Sequence, residues 1–234
     1  MGPAETQTHC PACGQPLYGW LELDTPAGPA LLERCENCRL GLAAGLGRED
    51  VANELLADAR NLAEGELELR VANRDSWQAR LGGLNWAGLE PARGLYPTPR
   101  ALELLAAKTG LELTHVVSPR WGTGQLWMWQ TILNAFTFTH NFAMRVRAGG
   151  LRPSGFAARL KYAIDSVVTV LATPLVLVVS LPLELVAALA GKGGVLVAVA
   201  SRGRGARPAW RSATPASAGR AGRSALRRGS GGPE

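Results

Sequence analysis

Apolar positions recur along this chain with two different periods. ELELRVA (66–72) and LELTHVV (111–117) alternate apolar with polar residues, and VLVAVAS (195–201) is a short apolar run. Each is expected to be a β-strand. LYGWLEL (17–23) and ALLER (30–34) flank DTPAGP, which predicts a hairpin. EDVANELLADAR (49–60) places Val51, Leu55, Leu56 and Ala59 on one helical face, with acids in the first turn. A helix is expected over 73–83 from Asn73. Another is expected over 99–109, opened by Thr98-Pro99 and closed by Gly110.

Two stretches break this soluble pattern. Residues 121–144 contain no Asp, Glu, Lys or Arg. As a helix they group Leu126, Trp129, Ile132, Leu133 and Phe136 on one face and Gln130, Asn134, Thr137 and Asn141 on the other. That pattern fits a lipid interface or a helix covered by neighbours. Residues 166–183 are uncharged, and 11 of them are Val or Leu. At 1.5 Å per residue they reach about 27 Å, just short of a hydrocarbon core of about 30 Å. Three readings stay open: an in-plane or re-entrant insertion, a true span, or a buried soluble helix pair. Pro174 and Pro182 are expected to kink the helix. Between the stretches, Arg145, Arg147, Arg152, Arg159 and Lys161 meet no acid before Asp165, which suits an anionic leaflet. Membrane-associating segments are therefore expected at 121–144 and 166–190, on a cytoplasmic, membrane-associated protein.

The net charge of +6 misleads. Residues 201–234 hold eight Arg and one Glu in a Gly/Ala/Ser background, so a disordered basic tail is expected at 204–234. Nucleic acid is a possible partner of that tail. The remaining 200 residues are close to neutral, so the folded part carries no electrostatic signature of nucleic-acid binding.

The four cysteines form two C-x-x-C pairs, Cys10/Cys13 and Cys35/Cys38. No basic start or apolar run precedes them, so a reducing compartment is expected, where such pairs read as metal ligands. Two tight turns joined by a hairpin give tetrahedral thiolate coordination of one structural Zn²⁺ by Cys10, Cys13, Cys35 and Cys38. Two redox-active thiol pairs are the alternative. The zinc ribbon is expected to occupy residues 1–46. Gly122 and Gly124 in WGTGQ fit either loop geometry or an anion cradle.

From residue 64 onward the order ELELRVANRDSW, GGLNW, PARGLY, TPRALELLAAKTGLE, LELTHVV and GGVLVAVASR resembles the C-terminal half of class I S-adenosylmethionine-dependent methyltransferases of the "methyltransferase domain 23" type. The resemblance implies a last strand running antiparallel between the strands at 66–72 and 111–117. It implies S-adenosylmethionine as cofactor, but only about 25 residues, 41–65, stand where the family places its cofactor-binding half, and no strand–GxGxG–helix unit lies there. Gly94 stands at the position of the family's loop histidine. The chain is thus expected to be inactive alone, with a second chain as the possible source of the missing half. No residue is assigned a catalytic or cofactor-binding role. His9, His115 and His140 fit no ligand spacing, and His115 is expected to be a packed or edge histidine. Asp75 and Glu90 read as isolated surface acids, and Trp77, Trp86 and Trp121 as core or interface anchors.

The expected fold is α+β (a truncated α/β): the ribbon, a small three-stranded mixed sheet with helices over 47–203, an apolar helical insertion and the tail. Three function classes follow: a methyltransferase-like membrane-associated protein, a single-span membrane protein with a cytosolic ribbon, and a nucleic-acid or protein-binding module.

Overall fold

A computed structural model describes residues 9–25, 28–44, 46, 50, 51, 55, 60, 61, 66–90 and 93–202. The expected helix 49–60 falls mostly, and the basic tail wholly, outside these residues.

The hairpin forms as the turn residues require. Strand β1 (Leu17–Thr25) pairs antiparallel with β2 (Gly28–Cys35), from Leu17↔Cys35 to Thr25↔Gly28. β3 (Gly41–Ala43) extends the sheet. β6 (Leu95–Tyr96) closes it in the order β1-β2-β3-β6. The hairpin therefore does not stand apart from the rest of the chain. Thr98 Oγ1 donates to the Cys38 carbonyl at 2.7 Å, and Lys108 Nζ donates to the Pro11 carbonyl at 2.7 Å.

The second sheet has the order β4-β5-β8-β7, formed by β4 (Arg60–Asn61), β5 (Glu66–Ala72), β8 (Val195–Arg202) and β7 (Leu111–Val117). β8 lies between β5 and β7 and is antiparallel to both. The sheet thus gains a fourth, two-residue strand, and all its neighbouring pairs are antiparallel. Alternation in β5 turns Leu67, Leu69 and Val71 inward, where they meet Leu102 and Leu105 of helix α2 (Pro99–Lys108). Thr98 caps α2 by accepting from the Ala101 amide, and Gly110 leaves it at φ +74°. The same apolar core contains Cys10, Cys35 and Cys38. A smaller cluster joins Trp86, Leu89, Tyr96, Leu32 and Ala72.

Helix α1 (Trp77–Gly82) starts four residues later than the sequence pattern indicates. Ser76, not Asn73, is the cap, accepting from the Ala79 amide. Asn73 instead turns the chain, accepting from the Asp75 amide and donating to the Gly193 carbonyl.

Between β7 and β8 the chain makes one long excursion through α3 (Thr123–Asn134), α4 (Phe142–Arg147) and α5 (Phe156–Leu189). It leaves the sheet after Val117 and rejoins it beside that residue, with Val117 opposite Val197. α5 has 34 residues and a length of about 51 Å, and it runs on through Pro174 and Pro182. The expected kinks do not divide it, and both prolines are exposed.

Candidate functional site

The two C-x-x-C turns are built alike. Cys10 and Cys13 precede β1; Cys35 ends β2, and Cys38 follows in the turn to β3. Gly14 takes φ +77° after the first pair, and Arg39 takes φ +58° after the second. Each turn bends so that backbone amides approach the sulfurs. The hairpin brings the pairs together: Cys10 Sγ lies 3.5 Å from Cys38 Sγ, and Cys13 Sγ 3.4 Å from Cys35 Sγ. All four sulfurs lie within 4.8 Å of one another, as free thiols. A tetrahedron with metal–sulfur bonds of about 2.3 Å needs sulfurs about 3.8 Å apart. The four cysteines can hold a metal ion, and they leave no ligand position open. The hydrogen bond with Cys38 draws the Cys10 thiol down to about 5 and pushes Cys38 up in turn. His9 is exposed, in a bridge with Pro16.

The second feature is the α3–α5 layer. α5 buries only one stripe, which includes Asp165, Val176, Ser180, Glu184 and Ala187. Around the remainder, Val167, Val170, Leu171, Leu175, Val178, Val179 and Val186 are exposed, Leu171 to 74%. Only 11% of its most apolar 18-residue window is buried, and the helix is long and apolar enough to cross a membrane. Within this chain 166–183 lies in one continuous, largely exposed helix and not in a buried helix pair.

α3 shows the same inversion. Its amide face points inward: Gln130, Asn134 and Asn141 are buried, while Leu126 and Phe136 are exposed. On the apolar face Leu133 is buried and Trp129 and Ile132 are half-buried. Asn134 and Asn141 are matched to backbone, while Gln130 donates to Asn134 Oδ1. Asn134 Nδ2 donates to the Asn85 carbonyl at 2.9 Å and to Asn141 Oδ1 at 3.0 Å. Asn141 Nδ2 donates to the Ala87 carbonyl at 2.9 Å, and Thr131 Oγ1 accepts from the Ala87 amide at 3.0 Å. Fully buried Asp165 accepts from the Phe138 and Thr139 amides. At the other end, Glu184 accepts from Gln78 and from the Gly194 amide.

That knot explains the glycines. A Cβ on Gly124 would lie 2.5 Å from Glu184 Oε1, and one on Gly194 would lie 2.3 Å from the Gln78 side chain. The chain's own carboxylate fills the space beside Gly124 that an anion cradle would leave open. Gly122, at φ +112°, opens α3.

Asp75 is not the isolated acid that the sequence pattern suggests. It receives Arg39 at 3.1 Å, Arg80 at 2.6 Å and, more closely still, Lys192. Burial opposes ionisation, but the hydrogen bonds from Lys192 and Arg80 outweigh it and hold the carboxyl at about 2. No signal in the sequence links these four residues, because their partners come from three separate segments. Glu90 is exposed and paired with Arg93. Trp86 is buried, Trp77 half-buried and Trp121 exposed. His115 lies exposed on β7, at the edge of its sheet. His140 Nε2 meets the Trp86 carbonyl at 3.2 Å.

No protein-family model matches the chain, and no curated protein or solved structure matches it either.

Proposed function

We propose that this chain is a membrane-seated binding module, folded around one structural Zn²⁺, with the α3–α5 layer lying in the plane of one leaflet. One observation carries the reading: the layer is largely inside-out. Amides and carboxylates of the layer face inward, and most of the Val and Leu side chains of α5, with Leu126 and Phe136, face outward, while Leu133, Phe142 and Val176 are buried. A surface of this extent is unstable in water and stable against acyl chains. The in-plane placement is supported by α3, whose C-terminal end bonds to residues 85–87 through Thr131 and Asn134, and by the packing of α5 against α3. Arg145, Arg147, Arg152, Arg159 and Lys161 supply the attraction to anionic headgroups.

The test adds purified protein to sealed anionic vesicles. Flotation with the vesicles is expected, and external trypsin is expected to cut at Arg145–Arg159 as well as in the body. Protection of those arginines would replace the in-plane arrangement with a span through α5. Failure to float would end the membrane reading.

The four-sulfur set favours zinc, which needs no open position and contributes folding energy alone. In the bound state Cys10, Cys13, Cys35 and Cys38 would act as thiolates. Elemental analysis is expected to give one zinc per chain.

A methyltransferase-type origin is the second reading. The order β5–β8–β7, with the last strand antiparallel between its neighbours, is the order that the resemblance implies, and it supports this reading. Among the described residues the sheet continues past β5 only into the two-residue β4, with no parallel pair to form a nucleotide crevice. Calorimetry with S-adenosylmethionine is expected to show no stoichiometric binding by this chain alone.

A further inference from the structure

Between the cysteine-bearing hairpin and α1 lies a cavity of about 500 Å³, lined by Trp20, Arg34, Arg39, Arg74, Arg80 and Asp75 among others. Its charges do not balance. Arg34 is answered by Glu36 at 2.7 Å. Arg39, Arg80 and Lys192 all converge on the single carboxylate of Asp75. Among the described residues Arg74 forms no ion pair with a carboxylate. Its Nη1 donates to the Arg39 carbonyl at 3.0 Å, its guanidinium stacks 4.0 Å from the Trp20 ring centre, and its Nε is buried with no hydrogen-bond partner. Among the described residues, five cations, including Lys192 outside the lining, share two carboxylates. Burial, and after it the neighbouring Arg34, bring the Arg74 guanidinium down to about 10, with Glu36 and Asp75 offsetting part of the effect.

The backbone is cut away to seat this stack. A Cβ on Gly41 would lie 2.9 Å from Trp20 and 3.0 Å from Arg74. The guanidinium is thus held rigidly by Trp20 on one side and by a carbonyl bond on the other, which removes most of the ordering cost of binding through it. A fixed guanidinium without a carboxylate partner, in a cavity lined by four arginines and two carboxylates, matches a doubly charged tetrahedral oxyanion better than a single carboxylate. The volume leaves room for an organic group beyond the anion.

We propose that this cavity binds a phosphate monoester, with Arg74 as the anchoring cation and Arg80 at the rim. Two sources present the same chemistry. One is a soluble organic phosphate. The other is a phosphomonoester lipid headgroup, since Lys192 closely follows the end of α5 and Leu81, next to Arg80, is exposed.

The test uses the zinc-loaded full chain and two probes: sn-glycerol 3-phosphate by calorimetry, and flotation with phosphatidylcholine vesicles with and without phosphatidic acid. Variants are Arg74→Gln, Arg80→Gln and, as a control outside the cavity lining, Arg100→Gln. Saturable glycerol phosphate binding that weakens at least about tenfold in Arg74→Gln and Arg80→Gln, but not in Arg100→Gln, supports the site with a soluble ligand. If only the phosphatidic acid dependence of flotation is lost in the same two variants, the site holds with a lipid ligand. Arg80 is half exposed, so its variant remains informative if Arg74→Gln fails to fold. Absence of both effects in Arg80→Gln overturns the proposal. Flotation with pure phosphatidylcholine reports on α3–α5 separately, so the two readings fail independently.

Discussion

Gln78 Nε2 donates to Glu184 Oε2 at 2.7 Å, joining residues 106 apart in sequence and bonding the short helix α1 to the C-terminal end of α5. The same Nε2 donates to the Gly124 carbonyl at 2.7 Å, so one amide ties three helices together. Glu184 is fully buried and completes the knot through the Gly194 amide.

Gly194→Ala is expected to destabilise the chain by about 1–3 kcal/mol, because its new methyl would meet Gln78 at overlap distance. Adding Gln78→Ala vacates that space while sacrificing two hydrogen bonds. The double variant is therefore expected to lose less than the two single losses added together. Urea unfolding of all four proteins measures the cycle. Strict additivity would show that Gly194 and Gln78 do not meet.

The outer face of α5 is expected to tolerate charge in folding but not in membrane binding. Leu171 and Leu175 are among its most exposed residues. A Leu→Asp change in a lipid-immersed helix costs about 3–4 kcal/mol per position, and in water costs almost nothing. Leu171→Asp/Leu175→Asp should abolish vesicle flotation while leaving the melting temperature in detergent-free buffer unchanged or raised. A fall in melting temperature with flotation intact would place this face against protein instead of lipid.

Strands 66–72 and 111–117 were legible to the residue, because each alternating run is bounded by a turn, Gly110 before β7 and Asn73 after β5. The cysteine cluster was legible for a similar reason: two short motifs and one hairpin determine it. What could not be read was which face of α3 points inward. Gln130, Asn134 and Asn141 form a visible polar stripe, but Asn134 and Asn141 find partners in the Asn85 and Ala87 carbonyls, which only the tertiary fold supplies. An apolar stripe predicts burial only when the solvent is water. Asp75 was misread on the same ground, because two of its three cations, Arg39 and Lys192, reach it from distant parts of the chain.

Metal removal is expected to unfold the hairpin first. Cys10, Cys35 and Cys38 belong to the main apolar core, so the loss should spread to β5 and α2. Cys35→Ser is expected to lose the bound zinc and to lower the melting temperature sharply. A strong chelator should reproduce that melting curve in the native chain and leave the variant's curve unmoved. If chelation removes zinc without changing the melt, the metal contributes nothing to folding.

Asp75 fixes a pH dependence whose sign follows from its three cations. Its carboxyl is held at about 2, below the ordinary value of 3.8. A depressed carboxylate contributes its full stability above the ordinary value and loses it as pH falls toward the folded one. The contribution is thus expected to be complete above about pH 4 and to vanish between about pH 4 and pH 2. Asp75→Asn keeps the shape and removes the charge. It should be less stable than the native chain at neutral pH, and the gap should close across that acid window. Comparing the two proteins at each pH cancels the acid loss of zinc, which both share. The comparison requires urea unfolding at pH 7, 4 and 2. A gap that stays constant down to pH 2 would mean that Lys192, Arg80 and Arg39 do not stabilise the ionised carboxylate. The charge imbalance assigned to the neighbouring cavity would then have to be redrawn with Asp75 as a neutral bystander.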